Sequence, residues 1–138
     1  MSYSAGNPSM PTSERKRLIL VVEDEAMISM LLEDMVLDCG GEIVGPAAKF
    51  DDALELAHKA EFGVAVLDLN LNGTLSYPIA EVIRERAIPV IFATGYVADR
   101  LLDRFSDCPT LQKPFSQQDF AEAVAAACRQ DAAHRCGS

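Results

Sequence analysis

The chain has 138 residues, 49% of them apolar and 24% charged, with 21 acidic side chains against 12 basic ones and a net charge of −9. That length gives one domain with a real core, and the acidic balance, with no basic stripe interleaved with aromatics, excludes a nucleic-acid surface. No apolar run reaches a membrane span and no signal block opens the chain; four cysteines without a Cys-x-x-Cys pair exclude a zinc knuckle and fit a reducing, cytoplasmic compartment.

Residues 1–14 hold Pro8, Pro11 and four serines, which predicts a disordered leader before a domain spanning 15–130. Leu18 to Val22 is a continuous apolar run, predicted as a strand buried on both faces, and it ends in Glu23, Asp24 and Glu25. A helix follows, with Ile28, Leu31, Leu32, Met35 and Cys39 on one face and Ser29, Glu33 and Asp38 turned away. "EIVG" reads as a second strand and "GVAVLDL" as a third, ending at Asp68. Pro78 suits the first turn of a helix whose buried stripe is Ile79, Val82 and Ile83.

"IPVIFA" is the fourth strand, running into Thr94, and "GYVADRLLDRF" after it is weakly specified. A weaker fifth strand, "CPTLQK", ends at Lys113. The last helix has Ser116 as cap, Asp119 as an imperfect capping-box partner, and Phe115 positioned to staple onto Phe120. Its inner face is Phe120, Val124 and Ala127, and residues 131–138 read as a flexible tail.

Strand and helix alternating five times imply an α/β fold, a parallel sheet with helices on both faces. Ligands of such sheets bind beyond the carboxyl ends of the strands. Glu23, Asp24, Asp68, Thr94 and Lys113 all fall there. Each alone has an ordinary explanation: an Asp after a strand caps a turn, and acids decorate a helix N-terminus. Together they make one chemistry. Like charges about 4 Å apart repel by roughly 1 kcal/mol in water and roughly 4 near a protein surface. A divalent cation offsets that cost. Asp24 and Asp68 are hard oxygen donors suited to Mg²⁺ or Mn²⁺, with Glu23 placed to hold a metal-bound water. Asp68 is also a candidate phosphoacceptor, with Thr94 and Lys113 to neutralise the phosphoryl oxygens.

From Arg17 to Arg129 the acidic pair, central Asp, Thr and Lys-Pro resemble, in order and spacing, the receiver domain of bacterial response regulators. The resemblance implies a doubly wound, five-stranded sheet of order 2-1-3-4-5. It also implies phosphoryl transfer to Asp68 from a sensor histidine kinase, with Mg²⁺ held by Asp24, Asp68 and the backbone carbonyl of Asn70. "PVIFATGY", "VGPA" and "SYPIAEVIRERAIP" further resemble receivers with a Phe-Ala-Thr-Gly (FATGUY-like) motif, often stand-alone and often paired with HWE-type kinases.

Two positions depart from the family. Glu23 replaces the usual Asp, and Thr110 stands where the family carries the aromatic that turns inward on activation. That leaves Gly95 to Phe105 as the expected switching segment. No output domain is read after Arg129, so the expected roles are phosphate sink, shuttle to a histidine phosphotransferase, or protein-binding switch, with no enzymatic turnover beyond its own phosphoryl transfer and dephosphorylation. The alternatives are a phosphate-independent interaction module and a Mg²⁺-dependent aspartyl-phosphate phosphatase. The latter wants Asp-x-Asp where this chain has Asp68-Leu69-Asn70.

Overall fold

A computed structural model describes residues 18–95 and 103–137, with side chains through 129. In chain order the elements are β1 (Leu18–Val22), α1 (Ala26–Asp38), β2 (Glu42–Ala47), α2 (Phe50–Lys59) and β3 (Val64–Asp68). There follow β4 (Asn70–Leu71), β5 (Thr74–Leu75), α3 (Tyr77–Glu85), β6 (Val90–Thr94), a 3₁₀ turn (Asp103–Phe105), β7 (Thr110–Gln112) and α4 (Gln117–Gly137). Five strands pair in parallel in the order β2-β1-β3-β6-β7, the expected 2-1-3-4-5.

Alternation along the strands divides the core. Ile19 and Val21 of β1 point to one face, where they pack with Leu32, Met35 and Val36 of α1 and Phe120 of α4. Leu20 and Val22 point to the other, with Ala53 and Ala57 of α2 and Ile79 and Ile83 of α3. All five residues of β3 and of β6 are buried, which is why these strands read as unbroken apolar runs.

The helix ends follow local chemistry. At α4 the Asp119 N–H donates to Ser116 Oγ at 3.0 Å, and the Ser116 N–H donates to Asp119 Oδ2 at 3.1 Å. The capping box therefore closes with Asp in place of Glu. The helical backbone then continues through 131–137, where the sequence places a flexible tail. The alanine pair in "QDAAHR" favours helix enough to carry it on.

On α1 the buried face lies to one side of the predicted stripe. Ser29, Leu32, Met35 and Val36 are inside, whereas Leu31 and Cys39 are exposed. The i, i+3, i+4 spacing of Leu32, Met35 and Val36 outweighs the single position of Leu31. Of the expected switching segment, residues 96–102 lie outside the described residues.

The α2 C-terminus is tied to the residue after α3. Arg86 donates from Nη1 to the Ala57 carbonyl at 2.6 Å and from Nη2 to the Ala60 carbonyl at 2.8 Å. Its guanidinium also lies 5.1 Å from the Phe62 ring centroid. Arg86→Met keeps most of the apolar stem but leaves those carbonyls without the charge that complements the helix end. It is expected to cost about 2 kcal/mol in a urea titration.

Candidate functional site

The site begins where β1 ends. The Glu23 N–H donates to the Ala47 carbonyl at 3.0 Å, and for that β2 must bulge: Leu20 pairs with Val44 but Val22 with Ala47. Gly45 makes the bulge possible. Its φ is +91°, and a Cβ there would lie 2.9 Å from the Ala47 nitrogen. The result turns Glu23 inward, its side chain 0% exposed, while Asp24 stays half-buried and Glu25 points to solvent. The three neighbouring carboxylates of "EDE" thus differ in burial, from Glu23 inside to Glu25 outside. Glu25 does not cap α1 through its side chain; instead its N–H donates to Glu23 Oε2 at 3.2 Å.

From β3, Asp68 meets them. Ligand oxygens of Glu23, Asp24 and Asp68 all lie within 4.8 Å of one another. From the end of β7, Lys113 reaches across, its backbone N–H held by the Thr94 carbonyl at 2.8 Å. Its ammonium lies 3.1 Å from Glu23 Oε1, 3.3 Å from Asp68 Oδ2 and 3.5 Å from Glu25 Oε1. Asp24, Asp68, Asn70, Thr94 and Lys113 line one open cavity of about 620 Å³, with Glu23 buried behind its wall.

The electrostatics are those of too many carboxylates. Burial, with Asp68 alongside, pushes the Glu23 carboxyl from an ordinary 4.5 to about 7, although Lys113 pulls it down. Asp68 is also raised, chiefly by burial, while Glu23, Lys113 and the Asn70 N–H act against the shift. For Lys113 burial would lower the pKa, but Asp68 and Glu23 outweigh it and the ammonium is held above its usual range. One fixed cation, the Lys113 ammonium, faces three acids, and Glu23 Oε1 has that ion pair but no hydrogen bond besides it. Carboxylates crowded in this number around a single ammonium fit a divalent cation such as Mg²⁺.

The sequence of residues 19–125 matches the response regulator receiver domain family. The chain belongs to that family. It is 32% identical over 112 residues to the transcriptional regulatory protein PdtaR of Mycobacterium tuberculosis, covering 78% of this chain and 55% of PdtaR. It thus spans about half the length of the curated relatives it matches. Among solved structures, SdrG from Sphingomonas melonis Fr1 is 39% identical with a TM-score of 0.75, over 86% of this chain and 99% of SdrG. The receiver domain of Erythrobacter litoralis PhyR is 30% identical with a TM-score of 0.70, over 84% and 92%.

Within this receiver, Glu23, Asp24, Asp68, Asn70, Thr94 and Lys113 come to the one sheet edge. Thr110 is exposed on β7 and takes no part in the cavity. Two contributors escaped the sequence reading. The turn at Asn72-Gly73 packs against Asp24, with the Asn72 N–H donating to Asp24 Oδ2 at 3.1 Å. That dipeptide between apolar residues is a hairpin signal in its own right. Tyr77 lines the cavity and stacks on Phe105, ring centroids 5.3 Å apart; it falls inside the quoted "SYPIAEVIRERAIP", which assigned it no role. Among the described residues no helix is long and apolar enough to cross a membrane.

Proposed function

We propose that this receiver accepts a phosphoryl group on Asp68 from the phosphohistidine of a sensor kinase and passes on the signal as a relay or protein-binding switch. The observation that carries the reading is the convergence of Glu23, Asp24 and Asp68 within 4.8 Å, beside Lys113 and Thr94. A carboxylate oxygen of Asp68 forms the new P–O bond while the P–N bond to the histidine breaks, its electron pair returning to the imidazole. Lys113 and Thr94 line the same cavity, and the ammonium and the hydroxyl offset charge on the phosphoryl oxygens. Mg²⁺ held by Glu23, Asp24, Asp68 and the Asn70 carbonyl would supply the remaining positive charge. Resemblance around Phe92-Ala93-Thr94-Gly95 supports a kinase of the HWE type.

The phosphatase alternative loses a further support here. Asn70 stands where the second acid is needed, and its Oδ1 is taken up by the Gly73 N–H at 2.6 Å. Incubation with acetyl phosphate and Mg²⁺, followed by intact-mass measurement, is expected to add one phosphoryl group per chain. Chelation of the metal should prevent it. An unmodified protein after prolonged incubation would overturn the reading, and multiple turnover of a phosphomonoester would revive the hydrolase.

A further inference from the structure

We infer that the Asn70 side chain is a positioning group, holding a short hairpin that fixes Asp24 against Asp68. This rests on the reading of these acids as a cation site. β4 and β5 pair antiparallel, Asn70 opposite Leu75 and Leu71 opposite Thr74. The two residues between them, Asn72 and Gly73, both have positive φ, 51° and 90°, as a two-residue turn matched to the strand twist requires.

The hairpin touches both acids. At its start the Asn70 N–H donates to Asp68 Oδ1 at 3.2 Å; at its tip the Asn72 N–H donates to Asp24 Oδ2 at 3.1 Å. Its base is closed by the Ser76 N–H on the Leu69 carbonyl at 2.9 Å. A two-stranded ribbon of this size is marginal in water by itself. The Gly73 N–H to Asn70 Oδ1 bond, at 2.6 Å, braces the turn from inside.

The mechanical consequence is specific. Asp24 and Asp68 repel each other, and Asp24 is half-exposed, so nothing in its own burial keeps it facing inward. A neutral backbone donor at fixed distance does so without adding charge to the site. Asn70 therefore acts twice: its N–H donates to Asp68, and its amide side chain sets the turn that aims the Asn72 N–H. Such supporting contacts orient metal ligands and tune their affinity.

Asn70→Ala removes the brace and keeps the backbone. Thr74→Ala, at an exposed β5 position outside the cavity lining, keeps the hairpin backbone and is the control. Calorimetric titration with Mg²⁺ is expected to show binding weakened about tenfold in Asn70→Ala and unchanged in Thr74→Ala. Amide exchange without metal gives the second readout. The Asn72 and Gly73 amides, expected to be protected in the parent protein by their bonds to Asp24 and Asn70, should become fast in Asn70→Ala while the five-stranded sheet is unaffected; Asp24→Ala should free Asn72 in the same way. Equal Mg²⁺ binding with a still-protected Asn72 amide in Asn70→Ala overturns the inference, as does equal weakening in the control. If the parent protein binds no Mg²⁺, the cation reading fails, and the exchange pattern alone decides whether the hairpin holds Asp24.

Discussion

Asp68→Asn is expected to lose all phosphoryl uptake and, at the same time, to fold more stably than the parent protein. The loss follows because an amide oxygen is a poor nucleophile and the substitution leaves no other carboxylate on the central strand's end. The gain follows from the charges. Asp68 is 6% exposed and its ionised form is disfavoured chiefly by that burial, with the Asp24 side chain adding to the shift. A neutral isostere removes that cost and leaves Lys113 to Glu23, whose own carboxyl should fall back from about 7 toward 4.5. Thermal or urea unfolding near pH 7 without metal should show a gain of about 1 kcal/mol, the size typical of relieving a strained functional site. Added Mg²⁺ should narrow the difference, because only the parent keeps the full acid set. A variant that is less stable at neutral pH would mean that Asp68 serves the fold and not only the chemistry.

Much of this site was legible before any coordinates, and the reason lies in the sheet. β1, β3 and β6 are buried on both faces, so their apolar runs are continuous and their ends are sharp; whatever follows each run must sit at the same edge. β7 is only three residues with one buried side chain, so the "CPTLQK" run that ends at Lys113 is the weakest of the five. The direction of each acid was not legible. Glu23, Asp24 and Glu25 are equivalent in a sequence, and what turns Glu23 inward is a bond to the Ala47 carbonyl across a bulge in another strand. The hairpin was missed for a different reason. Its strands are two residues each, too short for periodicity, and only the Asn72-Gly73 dipeptide marks the turn. On α1, Leu31 and Ser29 exchange their expected places because a small polar residue fits against the sheet and a leucine is tolerated outside.

Lys113→Met is expected to abolish stable phosphorylation and to make stability steeply dependent on pH in a range where the parent is nearly flat. Glu23 is the group that sets the window. Its folded pKa, about 7, lies above the 4.5 of the unfolded chain, so the native state binds the extra proton and stability is fully present below about pH 4.5. It declines as pH rises toward 7, by on the order of 3 kcal/mol for a shift of this size. In the parent the decline ends near pH 7, where the folded carboxyl is ionised as well, and Lys113, at 3.1 and 3.3 Å from Glu23 and Asp68, keeps that pKa from rising further. Without that ammonium the acids must stay protonated or stand unpaired in a buried site, so the folded pKa rises further and the decline continues above pH 7. The two proteins should therefore unfold alike at pH 5 and differ by about 3 kcal/mol at pH 9, the cost of an uncompensated buried charge. Mg²⁺ supplies the missing positive charge, so the variant should bind it roughly tenfold more tightly than the parent and regain most of its stability, yet still fail to hold phosphate. Urea titrations across pH, with and without Mg²⁺, separate these outcomes. A stability difference that is the same at pH 5 and pH 9 would place the role of Lys113 in packing, and the balance of charge described for this pocket would then be wrong.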